Sequence, residues 1–409
     1  MLNTWEAVYF AHDLGTLSAL ADSAAELGVE RFVLDDGWFG HRRDDRAGLG
    51  DWWVDPAVWP DGLGPLIDHV RGLGMQFGLW VEPEMVNEDS DLIREHPDWI
   101  SRPAGRTPLD WRFQQVLDLA NPEAFAHILD RLDALLTEYP IAYLKWDQNR
   151  DQLELGHDGR ASTHEQTLAA YRLFDELKAR HPGVEIESCS SCGARVDLGV
   201  LQRTDRVWTS DTNDALERQT IQRWTELIVP PELVGAHVGP TTSHSTRRKH
   251  DIEFRTATAL FGHFGIEWDI TTATEEEREG LRIAIALYKE WRDVIHTGTA
   301  VRADAPDPSV QVTGAVAQDR SRALFSFVQL TTSENEWPLP LLLPGLDPDR
   351  VYRVTTAMPV PKHAAMSRRQ PPWLAAGLEF SGTALAVLGL PLPVVHPEHA
   401  IVLRVEAVA

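Results

Sequence analysis

Short apolar runs alternate with longer amphipathic stretches over residues 4–298 of the chain. The runs are rich in β-branched residues and the stretches carry apolar side chains at helical spacing, which predicts βαβ units and a parallel sheet. The first helix is predicted between the first two runs, where Gly28 supplies a stop signal. Its apolar face consists of Leu17, Leu20, Ala21, Ala24 and Leu27.

Eight apolar runs are predicted to be strands, and further amphipathic stretches lie between them. Eight strand-and-helix units in a segment of this length fit a (β/α)8 TIM barrel, an α/β fold. The predicted strands are residues 5–10, 31–34, 76–81, 141–146, 184–187, 206–208, 233–237 and 265–269.

The character of the sequence changes after Gly298. Residues 301–308 are rich in Pro and Asp, and the short runs that follow have no helical stretch between them, which predicts an antiparallel β-sandwich with a structural role. We therefore expect two domains, a catalytic barrel over residues 1–300 and a β-sandwich over residues 301–409. The predicted sandwich strands are residues 309–316, 323–330, 352–356, 384–388 and 401–405.

Charge and cysteine usage narrow the function classes. The formal net charge is -24 at pH 7, so nucleic acid and anionic membranes are not expected as partners, whereas a neutral ligand such as a sugar is compatible. Neither a membrane span nor a signal peptide is apparent, which predicts a cytoplasmic protein. Cys189 and Cys192 form a lone C-x-x-C without the partners of a zinc site, so we expect reduced thiols, no metal and no cofactor; the spacing alone leaves a redox pair open.

Carboxylates follow the predicted barrel strands, at the end where TIM barrels place their active sites. One carboxylate alone is more often a loop residue or a helix cap, but their joint placement favours glycoside hydrolysis, which needs two carboxyl groups beside one bond. The residues concerned are Asp35, Asp36, Glu82, Glu84, Asp147, Asp211, Glu267 and Asp269.

Two of these aspartates are candidates for a retaining mechanism, which needs carboxyl groups about 5–5.5 Å apart. Lys145 lies two residues before Asp147 and faces the same side of the strand, so it favours an ionised nucleophile there. Asp211 follows Trp208, whose apolar wall would favour a protonated acid. Tryptophans near the acids are either sugar platforms or core residues, and a pocket position for Arg112 also stays open.

Eight stretches in this order resemble the microbial α-galactosidases of glycoside hydrolase family 36. The resemblance covers the whole barrel and implies a retaining α-galactosidase that acts on galactosides such as melibiose or raffinose. It also implies the C-terminal sandwich. The stretches are NTWEAVYF, FVLDDGWFG, LGDWWVDP, FGLWVEPEMVNEDSDL, RFQQVLDLANP, YLKWDQNR, ESCSSCGARVDLGVL and VWTSDTNDALERQ.

Residue roles carry over from the resemblance position by position. Asp147 matches the nucleophile and Asp211 the acid/base, while Asp35 and Asp36 match the pair that binds the galactose 4- and 6-hydroxyls. The remaining positions that match the family's pocket are Trp5, Trp80, Arg112, Lys145, Asn149, Cys189 and Trp208.

Two departures from the family pattern affect these expectations. Ser191 and Cys192 stand where the family commonly has glycines, which would narrow the space near the sugar's 2-position and favour galactose over N-acetylgalactosamine. The chain also starts almost at the first barrel strand, whereas family members carry an N-terminal β-sandwich. Three explanations stay open: the barrel tolerates the absence of this domain, the chain is a fragment, or it needs a separate partner. A homo-oligomer also stays open.

Three alternatives to hydrolysis of α-galactosides follow from the same motifs. The site could transfer galactose to another sugar, act on N-acetylgalactosamine, or bind galactosides without turnover. The sequence leaves the preferred aglycone, the oligosaccharide length, the oligomeric state and the stability without the N-terminal domain undetermined.

Overall fold

The computed structural model describes residues 1–109, 111–303, 305, 307–361, 364 and 370–408. The chain forms two compact units, the first made of residues 1–211 and 266–272 and the second of residues 212–265 and 273–409. The division into domains 1–300 and 301–409 stays a prediction.

Eight parallel strands form a closed barrel, and each pairs with its neighbours in chain order, which confirms the predicted fold. Leu2 in the first strand pairs with Phe32 on one side and with Ile266 in the last strand on the other. The strands are β1 (Leu2–Asn3), β2 (Arg31–Leu34), β3 (Gln76–Val81), β4 (Ile141–Trp146), β5 (Glu185–Ser188), β6 (Arg206–Trp208), β7 (Val234–Val238) and β8 (His263–Ile266).

The prediction of a first strand over residues 5–10 is wrong. β1 is only two residues long, and Trp5–Val8 is a short helix. Asn3 ends the strand because its side-chain oxygen accepts the Trp5 N–H at 2.8 Å, which starts the helical turn. A short and mostly apolar run does not distinguish strand from helix by periodicity alone.

The end of the last barrel strand also differs from the prediction of residues 265–269. β8 ends at Ile266, so Glu267 is the first residue after the strand. Asp269 accepts the backbone N–H of Thr271 and lies at the start of the 3-10 turn Ile270–Thr272, where it acts as a local cap.

The first unit contains the helices that cover the early strands. The predicted face of the helix Leu14–Leu27 is buried, its N-terminus is capped by Asp13, and Gly28 ends it with φ 89°. The other helical segments of this unit are Trp5–Val8, Gly64–Gly72, Asp91–Glu95, Pro97–Trp99, Pro122–Glu138, Thr163–Arg180, Leu198–Leu201 and Ile270–Thr272.

Two small two-stranded antiparallel sheets of the first unit lie between barrel elements. Met85–Asn87 pairs with Gln114–Val116 after β3, and Gly156–His157 pairs with Arg160–Ala161 after β4. The first of these sheets matters for the site because it brings Gln114 next to the end of β3, where Gln114 contacts Glu82.

The second unit contains a six-stranded antiparallel sheet, as expected for a C-terminal β-sandwich-like domain. The sheet order is β9-β10-β11-β14-β12-β13, for strands β9 (Thr299–Ala303), β10 (Val310–Val316), β11 (Arg322–Gln329), β12 (Val351–Thr356), β13 (Leu378–Ser381) and β14 (His399–Ala407). The helical segments of this unit are Ala215–Thr225, Pro231–Leu233, Ile252–Ala259, Glu275–Thr297, Trp373–Ala376 and Gly382–Val387.

The predicted strand over residues 384–388 is wrong, because residues 384–387 lie in the helix Gly382–Val387 and Leu388 is its C-cap. Ser381 accepts the Ala384 N–H and so caps the helix, while β9 and β13 were not predicted. Phe325, Tyr352 and Leu403 lie fully buried in the core of the domain. Among the described helices, none has the length and apolar content needed to span a bilayer.

Candidate active site

A polar pocket of about 440 Å³, open mouth included, lies at the carboxyl ends of the barrel strands in the first unit. It brings together nine of the predicted site residues and adds Arg42, which was not predicted. Cys189 and Trp208 were predicted but are not among the lining residues. The lining residues are Trp5, Asp35, Asp36, Arg42, Trp80, Arg112, Lys145, Asp147, Asn149 and Asp211.

Two adjacent acids after β2 are each held by a different cation. Asp35 accepts hydrogen bonds from Lys145 Nζ at 2.8 Å and from Asn3 Nδ2 at 2.7 Å. Asp36 is bound by the guanidinium of Arg42, with Nη2 to Oδ2 at 2.8 Å and Nε to Oδ1 at 3.0 Å. Since these residues are buried, both carboxylates have fixed positions at the pocket wall.

Burial and the nearby opposite charges shift the pKa values of these groups in opposite directions. Burial raises the pKa of Asp36, and Arg42 opposes that rise. Burial lowers the pKa of Lys145, but the negative charge of Asp35 and Glu267 outweighs it and leaves this pKa well above its usual value. Lys145 is therefore an ammonium ion throughout the pH range in which proteins are stable.

Asp147 follows β4 and is oriented by three donors. Its Oδ2 accepts from Asn149 Nδ2 at 2.8 Å and from Trp80 Nε1 at 3.3 Å, and its Oδ1 accepts the Gln148 N–H at 2.8 Å. Burial and the charge of Asp211 raise the pKa of Asp147, while Lys145 lowers it. The sequence argument identified the effect of Lys145, but burial is the larger influence.

Asp211 follows β6 and is only partly buried at the pocket. Trp208 Nε1 donates a hydrogen bond to Asp211 Oδ1 at 2.8 Å, so Trp208 orients this carboxyl as a polar partner. This hydrogen bond was not predicted, and the role of Trp208 as an apolar wall stays a prediction. Asp147 and Asp211 line the same pocket from different strands, as predicted.

The cysteine segment after β5 lies next to these acids. Cys189 is fully buried, its N–H donates to the Trp146 carbonyl, and both cysteines are free thiols. Burial and then Asp211 raise the pKa of Cys192 to about 12. Ser191 and Cys192 have φ values of 40° and 72°, a region that glycine adopts without strain, so the segment keeps a glycine-like backbone with two side chains.

Other predicted residues fall into two groups. Trp5 and Trp80 line the pocket, whereas Trp38 and Trp146 are fully buried core residues. Arg112 lines the pocket from an exposed stretch with a φ of 52°. Among the described residues, no group of three or more His, Cys, Asp or Glu side chains is arranged to hold a metal ion.

Sequence reasoning missed Arg42 and gave Glu82 no role. Arg42 lies in a polar loop without periodicity, so its pairing with Asp36 had no signal beyond charge. Glu82 follows β3, as predicted, but it is fully buried and does not line the pocket.

Comparison with known proteins identifies the family. The model of the family described as Melibiase matches residues 1–298. The chain belongs to the melibiase family. A second model, the glycosyl hydrolase family 36 C-terminal domain, matches residues 308–404, so the resemblance to family 36 is confirmed over both parts of the chain.

Members of the melibiase family include close relatives of this chain. It is 50% identical to an α-galactosidase of Escherichia coli over 410 residues, which cover 99% of the chain and 58% of the relative. It is 39% identical to the α-galactosidase AgaA of Geobacillus stearothermophilus, over 87% of the chain and 50% of the relative. The chain thus spans about half the length of the curated relatives it matches.

Solved structures of the melibiase family match the whole chain. The crystal structure of AgaA superimposes with a TM-score of 0.91 at 37% identity and covers 100% of this chain and 55% of that one. AgaA variants were crystallised in complex with raffinose and with stachyose, and each matches at 36% identity with a TM-score of 0.91.

Proposed function

We propose that this chain carries the catalytic site of a retaining α-galactosidase. The observation that carries the proposal is one pocket lined by Asp147 and Asp211, together with the paired acids Asp35 and Asp36. The names of the relatives and the raffinose and stachyose complexes of AgaA support terminal α-linked galactose as the substrate, in sugars such as melibiose and raffinose.

The proposed reaction is a double displacement. In the first step a carboxylate oxygen of Asp147 bonds to the anomeric carbon, while the glycosidic bond breaks and Asp211 gives its proton to the leaving oxygen. In the second step Asp211 takes a proton from water, whose oxygen attacks the anomeric carbon and releases Asp147. Two inversions leave the configuration of the sugar unchanged.

The orientation of Asp147 fits the first step. Asn149 and Trp80 both bond to Oδ2, and a backbone N–H bonds to Oδ1, so the carboxylate is fixed before the sugar binds. Preorganised donors cost no reorganisation when the charge on the nucleophile disperses. Asp211 is less buried and accepts the Trp208 N–H, which suits a group that exchanges protons.

Sugar recognition is assigned to Asp35 and Asp36. Charged acceptors form strong hydrogen bonds with hydroxyl groups, and a site built for an axial 4-hydroxyl discriminates against its equatorial counterpart. Lys145 forms an ion pair with Asp35 and Arg42 forms one with Asp36, so each acid is held in position beside a cation. Trp5 and Trp80 provide aromatic faces at the same pocket.

Kinetics of two variants test the assignment in the 409-residue chain. Asp147→Ala should abolish turnover of an aryl α-galactoside, because the covalent step is lost. Asp211→Ala should retain some cleavage when the leaving group needs no proton, and azide should raise its rate by replacing the water that Asp211 activates. Equal loss in both variants without rescue would contradict the roles.

A substrate panel separates the alternatives. Release of galactose from aryl galactosides supports hydrolysis, longer oligosaccharides formed from raffinose and sucrose would indicate transfer, and cleavage of an N-acetylgalactosaminide would change the sugar assignment. Galactose binding by calorimetry without any turnover would indicate a binding protein. A cytoplasmic location, a homo-oligomer and the absence of nucleic-acid or membrane partners stay predictions.

A further inference from the structure

Glu82 is a fully buried carboxyl group directly behind the candidate nucleophile, and the proposed reaction gives it no role. It follows β3, and its Oε1 accepts the backbone N–H of Asn149. The side chain of Asn149 in turn donates to Oδ2 of Asp147 at 2.8 Å. A single chain of contacts therefore connects Glu82 to the attacking group.

We propose that Glu82 is a positioning residue that acts as a neutral carboxylic acid and holds Asn149 against the nucleophile Asp147. The proposal rests on the function proposed above and adds a residue to it. Its geometric basis is the bond to the Asn149 N–H, since a backbone anchor at this point fixes where the Asn149 amide can reach.

Charge pairing around Glu82 supports the neutral form. Lys145 is bound to Asp35 and Arg42 is bound to Asp36, and among the residues that the structure describes no cation forms an ion pair with Glu82. An isolated buried carboxylate is costly, so such a group keeps its proton. Burial and the charge of Asp147 raise the pKa of Glu82 to about 8, Arg42 opposes this, and Asp36 adds to it.

Glu84 provides an internal contrast. It is equally buried, but Arg195 Nη1 lies 2.7 Å and 2.9 Å from its two oxygens, and Trp146 Nε1 also donates to it. Glu84 is thus an ion-paired carboxylate that ties the segment after β5 to the end of β3. Two acids at the end of one strand therefore have opposite electrostatic roles.

The second oxygen of Glu82 has a partner that suits either protonation state. Gln114 Nε2 lies 3.3 Å from Oε2, and Gln114 Oε1 is buried without a hydrogen-bond partner among the described residues. An amide presents either its NH2 or its oxygen after a 180° rotation, so Gln114 can accept the proton of a neutral Glu82. Loss of that proton would place a negative charge behind Asp147.

Three substitutions in the full chain test the proposal. Glu82→Gln keeps a neutral acceptor of the same shape for the Asn149 N–H, and Glu82→Leu removes the acceptor with little change in volume. Glu88→Gln is the matched control, because Glu88 lies only six residues further along the chain but is exposed. Circular dichroism and galactose binding establish that each variant folds.

We expect Glu82→Gln and Glu88→Gln to keep kcat within about 3-fold of the wild type near pH 6.5. Glu82→Leu should lower kcat by about 100-fold with KM within about 3-fold, because a misplaced nucleophile affects the chemical step more than sugar binding. The wild type should lose activity as the pH rises through about 8, and Glu82→Gln should keep it to higher pH.

Several outcomes would overturn the proposal. The first is an unchanged kcat in Glu82→Leu, and the second is a kcat in Glu82→Gln as low as that in Glu82→Leu. The third is a loss of activity at the same alkaline pH in the wild type and in Glu82→Gln. Infrared difference spectra without substrate provide a test independent of activity. Between pH 6.5 and pH 9 the wild type should lose one protonated carboxyl more than Glu82→Gln does, because other buried carboxyls such as Glu226 titrate in both proteins. Equal losses in the two proteins refute the neutral acid even if the chain proves inactive.

Discussion

The ion pair between Lys145 and Asp35 is predicted to be the most sensitive electrostatic contact in the pocket. The two groups are 2.8 Å apart, and their side chains are 5% and 4% exposed. At an effective dielectric constant of about 20, opposite unit charges at this distance attract by about 6 kcal/mol. Lys145→Met removes the attraction and leaves Asp35 as a buried charge without its cation.

Removal of one partner from a buried pair typically costs about 3–5 kcal/mol, and we expect a loss of this size in the free energy of unfolding. The loss should be constant between pH 6 and pH 9. Lys145 has a raised pKa in the folded state, so its stabilisation is complete below the unfolded value and declines only as the pH rises through the folded one.

Urea denaturation of four variants measures this prediction. Lys178→Met is the control, because Lys178 lies 2.6 Å from Asp205 but the side chains are 30% and 35% exposed, and such a pair contributes about 1 kcal/mol or less. The two single losses in the free energy of unfolding, for Lys145→Met and Asp35→Asn, should add up to at least about 2 kcal/mol more than the loss in the double variant. Equal small losses in Lys145→Met and Lys178→Met would refute the reasoning.

Two further predictions concern Arg42 and Glu226. Arg42→Lys replaces a two-nitrogen contact with Asp36 by a single ammonium, so kcat/KM for an aryl galactoside should fall about 10- to 100-fold, and an unchanged value in steady-state kinetics would exclude a role in sugar recognition. Burial raises the pKa of Glu226 to about 7 against the opposing charge of Arg302, so its stabilisation is present below about pH 4.5 and is lost as the pH rises through about 7. As the pH rises from 5 to 9, the free energy of unfolding of Glu226→Gln, measured by urea denaturation, should therefore rise by up to about 3 kcal/mol relative to that of the wild type. A constant difference between the two proteins over this pH range would contradict the prediction.

The barrel was predictable because buried parallel strands are continuous apolar runs. The bounds of β2, β3, β4 and β6 agree residue for residue with the prediction. β1 was missed because two residues of strand leave no periodic signal, and the apolar run next to it forms a helix. The helix Gly382–Val387 was missed for a related reason, since a short apolar run such as residues 384–388 suits either structure and only the Ser381 cap distinguishes them.

The part of the candidate site that lies at the ends of the barrel strands was predictable, because the topology of the barrel determines it. The ends of parallel strands meet at one face, so Asp35, Asp147 and Asp211 share a pocket whatever the details of the loops. Hydrogen-bond partners that lie on irregular loops, or that depend on the orientation of a side chain, were not predictable. Arg42 reaches Asp36 from an irregular loop, and whether Trp208 presents its ring or its N–H to Asp211 depends on a rotamer.

Covalent trapping of the sugar tests the central assignment most directly. A 2-fluorinated galactosyl fluoride reacts in the first step but slows the second, so the galactosyl-enzyme accumulates and its site can be mapped by peptide mass spectrometry. We predict a single adduct on Asp147 that is absent in Asp147→Ala and still forms in Asp211→Ala. An adduct on any other residue, or a first product with inverted configuration, would contradict the mechanism.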